Sequence, residues 1–226
     1  MNKVSILLPI YNDEQYIAQS IDSIIKQTYN NWELLIGFNG TTDSSREIVK
    51  NFLYDKRIII YDFENDKGKA KTLNKLLNYI SGNWIALQDG DDVWLPKKLE
   101  IQSQYFETYD VIGTKCQYID KDGNFIGLPD IQTDHQHIVE KSLKGVNQVI
   151  NTSTVFKKEK ALEVNGWDET IDGIEDYDFW LKLMINKNNF ININKILLLH
   201  RLHQRSNFNT KTFDLNQLIK KYNNAI

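Results

Sequence analysis

The sequence predicts an α/β fold: a mixed, mostly parallel central sheet with helices on both faces. Three observations point to it. Short apolar runs of strand length alternate with stretches of helical period through the first half of the chain. Those runs are apolar at nearly every position, as in strands covered on both sides. A polar residue follows the runs at Asn12, Asn39 and Asp89. Strand–helix–strand units imply right-handed crossovers, and such sheets bind ligands at the carboxyl ends of their strands.

The elements follow in order. Residues 4–8 form the first strand, closed by Pro9-Ile10-Tyr11-Asn12. Asn12 has the chemistry of an N-cap, and Ile17, Ile21, Ile24, Ile25 and Thr28 mark one face of the next helix. Residues 33–38 are the second strand, followed by the polar loop Asn39-Gly40-Thr41-Thr42-Asp43. Ser44 and Glu47 have capping-box spacing ahead of Ile48, Val49, Phe52 and Leu53. Residues 58–61 are the third strand. Gly68 precedes a helix with Leu73, Leu76, Leu77 and Ile80 on one side. The fourth strand, Trp84-Ile85-Ala86-Leu87, runs straight into Asp89-Gly90-Asp91-Asp92, and another helix is expected near Pro96.

The second half is more mixed. Strands are expected over 109–118 and 125–128, joined by a turn at Asp120-Lys121-Asp122-Gly123. Residues 132–144 read as a helix or a mobile loop, 149–156 as a strand, and Gly166-Trp167-Asp168-Glu169 as a turn. A helix at 175–185, a late strand at 191–199 and an amphipathic tail at 213–222 complete the chain. With 226 residues and neither repeat nor linker, one domain is expected. Its halves divide as 1–108, which carries the three polar rims, and 109–206, with 207–226 as a tail.

Composition narrows the function. The net charge of −3 offers no basic field for nucleic acid. A single cysteine, Cys116, forms no internal disulfide, which fits a reducing compartment such as the cytoplasm. No leader pattern is visible, and no apolar run approaches the roughly 20 residues that span a bilayer. Peripheral contact with a membrane stays open, through Leu215, Leu218 and Ile219 in the tail; a helix packed on the domain is the simpler reading.

The carboxylates of Asp89, Asp91 and Asp92 crowd one strand end, and like charges there call for a cation. Oxygen ligands suit Mg²⁺ or Mn²⁺. The plain alternative is an acidic turn that caps the following helix. A nucleotidyltransferase would carry a glycine- and lysine-rich cradle after the first strand, and a dinucleotide-binding oxidoreductase a Gly-x-Gly-x-x-Gly; neither is present. A non-catalytic carbohydrate-binding protein is the remaining rival. His135 and His137 read as solvated; Lys67, Lys69 and Lys71, which flank Gly68, could meet phosphate but read as a wet helix face; Trp167 and Trp180 could stack on sugar but read as core.

Pro9-Ile10-Tyr11-Asn12, the loop at 39–44, Gly68 to Asn74, Asp89-Gly90-Asp91-Asp92, Gly166-Trp167-Asp168-Glu169 and Glu175-Asp176-Tyr177-Asp178-Phe179-Trp180-Leu181 occur in that order. The series, over roughly residues 4–206, resembles the family 2 glycosyltransferases, inverting enzymes of the GT-A (Rossmann-like) fold. The resemblance implies a nucleotide-sugar donor, UDP-linked by preference, and a carbohydrate or lipid-linked acceptor in cell-surface polysaccharide or glycolipid synthesis. It implies nucleotide contacts from Pro9, Tyr11, Asn12, Asn39, Gly68, Asn74, Asp89 and Asp92. Arg201 and His203 match an Arg-x-His element near the diphosphate. Thr152 and Ser153, small enough to leave room for a ring, are candidates to line the donor-sugar pocket, with packing in a strand as the alternative. Asp91, with Asp89 and His203, would hold Mn²⁺ or Mg²⁺. Asp176 would be the general base and Glu175 an aid in orienting the acceptor. One departure stands out: where the family usually has paired aspartates after the second strand, this chain has Phe38-Asn39. The Asn39 amide can still accept a hydrogen bond from a base imide and can also donate one.

Overall fold

The computed structural model describes residues 2–63, 67–171, 173–203 and 215–223. Within them the strands are β1 (Val4–Ile10), β2 (Trp32–Phe38), β3 (Ile58–Asp62), β4 (Trp84–Leu87), β5 (Val93–Trp94), β6 (Val111–Ile119), β7 (Phe125–Gly127), β8 (Val155–Lys157) and β9 (Phe190–Arg201). The helices are α1 (Ile17–Ile25), α2 (Ser45–Lys50), α3 (Lys69–Leu76), α4 (Lys98–Ser103), α5 (His135–Leu143), α6 (Lys158–Glu163), α7 (Glu175–Ile185) and α8 (Leu215–Asn223). One sheet runs through both halves in the order β3-β2-β1-β4-β8-β6-β9-β5, with β7 paired to β6. β1 to β4, β6 and β9 run one way; β5, β7 and β8 run against them.

Alternation along β1 explains the two-sided core. Val4, Ile6, Leu8 and Ile10 face one layer with α1, and Leu7 faces the other with α3 and α7. Pro9 sits inside a central strand without breaking the ladder. Leu7 accepts from the Gln88 amide on the β4 side, and the β1–β4 pairing ends there. Pro9 points the same way two residues on, where no strand remains to receive an N–H.

Several expected elements differ. Asn12 does not cap α1; it adopts φ 58° and its side chain bonds the loop after β2. Ser44 makes no capping bond to α2; instead the Asp43 carboxylate accepts from the Ser45 amide at 3.0 Å. The strand expected over 149–156 is interrupted. Residues Asn151–Ser153 form a 3-10 turn, because the Thr154 hydroxyl and amide both bond back to the Asn151 carbonyl. Only Val155–Lys157 pairs with the sheet. Residues 132–144 resolve into α5, capped by Asp134, whose carboxylate accepts from the His137 amide at 3.1 Å. The tail helix begins at Leu215; Phe213 and Asp214 lie outside the described residues, as do residues 204–206 at the end of the matched series. Leu218 and Tyr222 are buried against α5 and α7, with Leu215 and Ile219 partly so, so this apolar stripe packs on the domain.

Glu33 ties the start of the sheet together. Its carboxylate accepts from Ser5 Oγ at 2.6 Å, Lys3 Nζ at 2.8 Å, the Ser81 amide at 2.7 Å and Ser81 Oγ at 2.8 Å. Burial alone would raise its pKa; the four donors outweigh it and bring the pKa from 4.5 down to about 2. This stability is therefore present above pH 4.5 and lost as pH falls toward 2. Glu33→Ala is expected to cost about 2–4 kcal/mol at neutral pH, because it strands buried donors. The deficit should shrink below pH 4, as read by urea unfolding across pH.

Candidate active site

The site stands on the carboxyl ends of β1, β2 and β4, where register aligns Ile10 with Phe38 and Leu7 with Leu87. Chain direction forces the loops after these strands onto one rim. Tyr11 is 54% exposed there. The Asn12 Oδ1 accepts from the Thr42 amide at 2.8 Å and the Asp43 amide at 3.3 Å, so Asn12 pins the neighbouring loop. Asn39 is buried and its Oδ1 has no partner among the described residues.

The acidic segment meets the end of β9 through the β5 pairing. Val93 lies opposite Leu199 and Trp94 opposite Leu198. That register delivers the residues after Leu199 to the residues before Val93. Asp92 is fully buried and accepts from His200 Nδ1 at 2.8 Å, from the Arg201 amide at 2.8 Å and from the Thr152 hydroxyl. Burial would lower the His200 pKa, but Asp92 outweighs it and raises the pKa to about 9. Asp91 turns the other way, and its Oδ2 lies 2.9 Å from His203 Nε2. Burial, countered in part by His203, raises the Asp91 carboxyl above its ordinary value; Asp92 and Asp89 add to the rise.

Asp89 joins this cluster to the second half. Its Oδ1 lies 2.5 Å from Lys69 Nζ, on the first turn of α3. Gly68 makes that approach with φ 118°, a backbone only glycine adopts readily. The same ammonium is attracted by Glu175 and Asp176 on the first turn of α7. Asp176 is raised to about 6, chiefly by burial and then by Glu175, with Lys69 and the Tyr177 amide opposing. Glu175 is buried and its Oε2 accepts from the Gly173 amide at 2.6 Å, which closes the turn into α7. An aromatic cluster fixes the helix: Phe179 lies 4.4 Å from Trp167, 5.0 Å from Trp180 and 5.3 Å from Phe156 between ring centroids. Both tryptophans are core residues, not sugar platforms.

Residues 5–162 match the profile of "Glycosyl transferase family 2". A glycosyltransferase of Methanocaldococcus jannaschii is 31% identical over 91% of this chain and 72% of its own length. An Escherichia coli protein, "UDP-Glc:alpha-D-GlcNAc-diphosphoundecaprenol beta-1,3-glucosyltransferase WfgD", is 35% identical over 90% of this chain and 78% of its own. The chain belongs to glycosyl transferase family 2. Its GT-A fold matches S. aureus TarS 1-349 in complex with UDP-GlcNAc, at TM-score 0.82, 18% identity, and coverage of 99% of this chain and 66% of that one. The mannosyltransferase PcManGT from Pyrobaculum calidifontis, in complex with GDP-Man and Mn2+, aligns at TM-score 0.70 and 16% identity, over 90% of this chain and 58% of that one.

Within this family member, several residues expected at the donor are buried or bonded within the protein. Pro9 is buried in the sheet. Asp92 faces the interior rather than the rim, since three protein donors occupy it. Thr152 and Ser153 are fully buried; the first bonds Asp92, and the second bonds the Ile150 carbonyl at 2.7 Å. Asn74 clasps the turn at 166–169: it donates to the Trp167 carbonyl at 2.9 Å and accepts from the Trp167 amide at 2.9 Å. Arg201 is buried under Asp91, donating to the Asp91 carbonyl at 2.9 Å, the Asp120 carbonyl at 3.0 Å and Gln19 Oε1 at 2.8 Å. Its guanidinium braces the acidic segment from behind.

Three site residues were not read from the sequence as such. Asp13 packs against Gly90 so closely that a Cβ there would meet Asp13 Cγ at 2.6 Å. Burial, with Asp91 and Asp89 nearby, raises the Asp13 carboxyl to about 8. Its position just past β1 was the available signal. Lys69 sits in the cleft rather than on a wet face, and its place in the first turn after Gly68 was the clue. His200 supports Asp92.

Proposed function

We propose that this chain is an inverting, divalent-metal-dependent glycosyltransferase. It moves a sugar from a nucleoside-diphosphate donor, UDP-linked by preference, to a hydroxyl of a carbohydrate or lipid-linked acceptor, in building cell-surface polysaccharide or glycolipid. One observation carries the reading. Lys69 on α3 contacts Asp89, and Asn74 of the same helix clasps the turn at 166–169 that leads into α7, which supports a cleft shared by the donor-side carboxylates and the candidate base Asp176.

Asp176 is poised for its role. A base works best with a pKa near the working pH, and about 6 leaves it ionised at neutrality. The acceptor hydroxyl gives its proton to the Asp176 carboxylate as its oxygen attacks the anomeric carbon. The bond from that carbon to the phosphate oxygen breaks, and its electron pair leaves with the diphosphate. Attack from the face opposite the leaving group inverts the centre.

The donor set at Asp91 fits a hard cation. A carboxylate oxygen and an imidazole nitrogen stand 2.9 Å apart, with Asp89 and the Asp13 carboxyl nearby. Among the described residues no three of His, Cys, Asp or Glu form a cage of their own. That suits Mg²⁺ or Mn²⁺, which take one or two protein ligands and complete their shell with water and phosphate oxygens. Asp91 and His203 would hold the ion, with Asp89 near; when bound, it offsets the charge that develops on the diphosphate. Tyr11 presents its exposed ring to the base, and Asn39, whose buried Oδ1 has no partner among the described residues, is the acceptor proposed for a uracil imide. The UDP-sugar named for WfgD and the UDP-GlcNAc complex of TarS support a UDP donor. The undecaprenol-linked acceptor named for WfgD supports a lipid-linked one. Among the described residues no helix is long and apolar enough to cross a membrane.

The test is a thermal-shift screen of nucleoside diphosphates. UDP is expected to raise the melting temperature by several degrees with Mn²⁺ or Mg²⁺, and by much less in EDTA. An equal shift in EDTA would remove the metal from the account, and a larger shift with GDP would replace the base.

A further inference from the structure

A cavity of about 420 Å³ lies at the far end of the sheet from the catalytic rim. That is within the roughly 300–1,000 Å³ usual for small-molecule sites. Strand direction separates the two places. The start of β9 lines the cavity at Ile191 and Asn194, while its end carries His200 and Arg201 to the acidic segment. At about 3.3 Å per residue, Asn194 and His200 stand roughly 20 Å apart along the strand. None of the residues given to the donor, the metal or the acceptor proton lines this cavity.

Two kinds of group line it. Tyr105 and Tyr109 follow α4, spaced one helical turn apart by the bond from the Tyr109 amide to the Tyr105 carbonyl at 3.1 Å. Their ring centroids are 6.2 Å apart with planes tilted by 45°, which makes an aromatic corner. Around it stand Asp134, His135, Asn189 and Asn194. The Phe190 amide donates to His135 Nδ1 at 3.1 Å, so the ring proton belongs on Nε2, where it can be donated outward. Asn189 Nδ2 donates to the Thr108 carbonyl at 3.3 Å, and its Oδ1 is an acceptor. Asn194 is exposed, and its amide both donates and accepts.

Charge selects the ligand. Among the described residues the lining holds no lysine or arginine, which turns away phosphates and carboxylates. Its one carboxylate, Asp134, already accepts from the His137 amide at 3.1 Å and lies 2.8 Å from His137 Nδ1, which disfavours a cation. What fits is an uncharged ligand with an apolar face and a rim of hydroxyls. A sugar ring has that form: its C–H face packs on an aromatic ring, and its hydroxyls meet amide and imidazole groups at the edge.

We propose that this cavity is a second carbohydrate site. It takes an uncharged saccharide ring against Tyr105 and Tyr109, with His135, Asn189 and Asn194 at its hydroxyls. Where the acceptor is a glycan, as proposed, a ring held here keeps the rest of that chain near the enzyme and raises its effective concentration. The binding itself does not depend on that reading.

The experiment labels the tyrosine rings with carbon-13 and fills the donor site with UDP and Mn²⁺. The full chain is then titrated with glucose, N-acetylglucosamine, cellobiose and chitobiose, with choline chloride and inorganic phosphate as charged controls. Proton–carbon NMR follows the ring signals, assigned with Tyr105→Phe and Tyr109→Phe. The Tyr105 and Tyr109 signals should shift saturably with at least one saccharide in the millimolar range, and the Tyr11 signal at the catalytic rim should stay in place. Tyr109→Ala should weaken binding about tenfold. Asn194→Ala should weaken it about threefold. UDP affinity should be unchanged in both.

No saturable shift with any saccharide, saturation by choline or phosphate instead, or undiminished binding in both variants would each overturn the proposal. If Tyr109→Ala fails to fold, Asn194→Ala, at an exposed position, decides. Failure here leaves the reading of Asp91 and Asp176 standing, since neither lines the cavity.

Discussion

Asp176→Asn is expected to slow turnover by about 10²–10⁴-fold, the usual range for a lost general base. The amide is close in size to the carboxylate, and its oxygen can still accept the Tyr177 amide bond found at 2.7 Å. The fold of α7 should therefore survive, with its aromatic packing untouched. What disappears is the site that takes the acceptor proton. UDP affinity should hold, because the residues proposed for the nucleotide lie at the ends of β1, β2 and β4. Initial rates with the identified donor, beside calorimetric UDP binding, check both parts. Near-normal turnover would remove Asp176 from the mechanism.

Asp91→Asn is expected to abolish the metal-dependent part of UDP binding, with a loss of at least about 100-fold in apparent affinity, since even outer-shell changes cost about 10–100-fold. Asp92 faces inward to His200 and the Arg201 amide, while Asp91 faces His203. Removing the Asp91 charge weakens the His203 contact and leaves the diphosphate without an anchored cation. UDP titrations with and without Mn²⁺ should give one weak affinity for the variant and two distinct affinities for the wild type. Retained metal dependence would move the ion elsewhere in the cluster.

Much of the fold was legible because burial leaves a simple record. β4 is apolar throughout, and β1 and β2 are nearly so, with Ser5 and Glu33 as their polar exceptions; a strand covered on both faces admits little else. The boundaries of α7 agreed with the sequence pattern because the acidic first turn and the Phe179, Trp180, Leu183 and Met184 stripe mark both its start and its buried face. The rim positions of Asn12, Asn39 and Asp89 followed from chain direction alone. The orientation of individual polar side chains did not. Asp91 and Asp92 are adjacent, yet they face opposite ways because β5 turns directly into its pairing with β9. Nothing within five residues of them announces that partner. Thr152 and Ser153 looked like pocket lining because small residues leave room; a 3-10 turn buries them instead. Arg201 and Asn74 carry polar groups that suit a nucleotide, but backbone carbonyls and amides from distant turns occupy them. Lys69 was hidden for the converse reason. A lysine among lysines on a helix reads as solvated, and only the fold of α3 against the rim places one of the three beside Asp89.

The proposed mechanism is a single displacement at the anomeric carbon, with Asp176 on one side and the diphosphate held at Asp91 on the other. The anomeric configuration of the freshly formed product, read by proton NMR from the coupling at that carbon, tests this most directly. A donor with an α-linked sugar should give a β-linked product from the first turnover. A product that keeps the donor's α configuration would contradict the mechanism and the role given to Asp176.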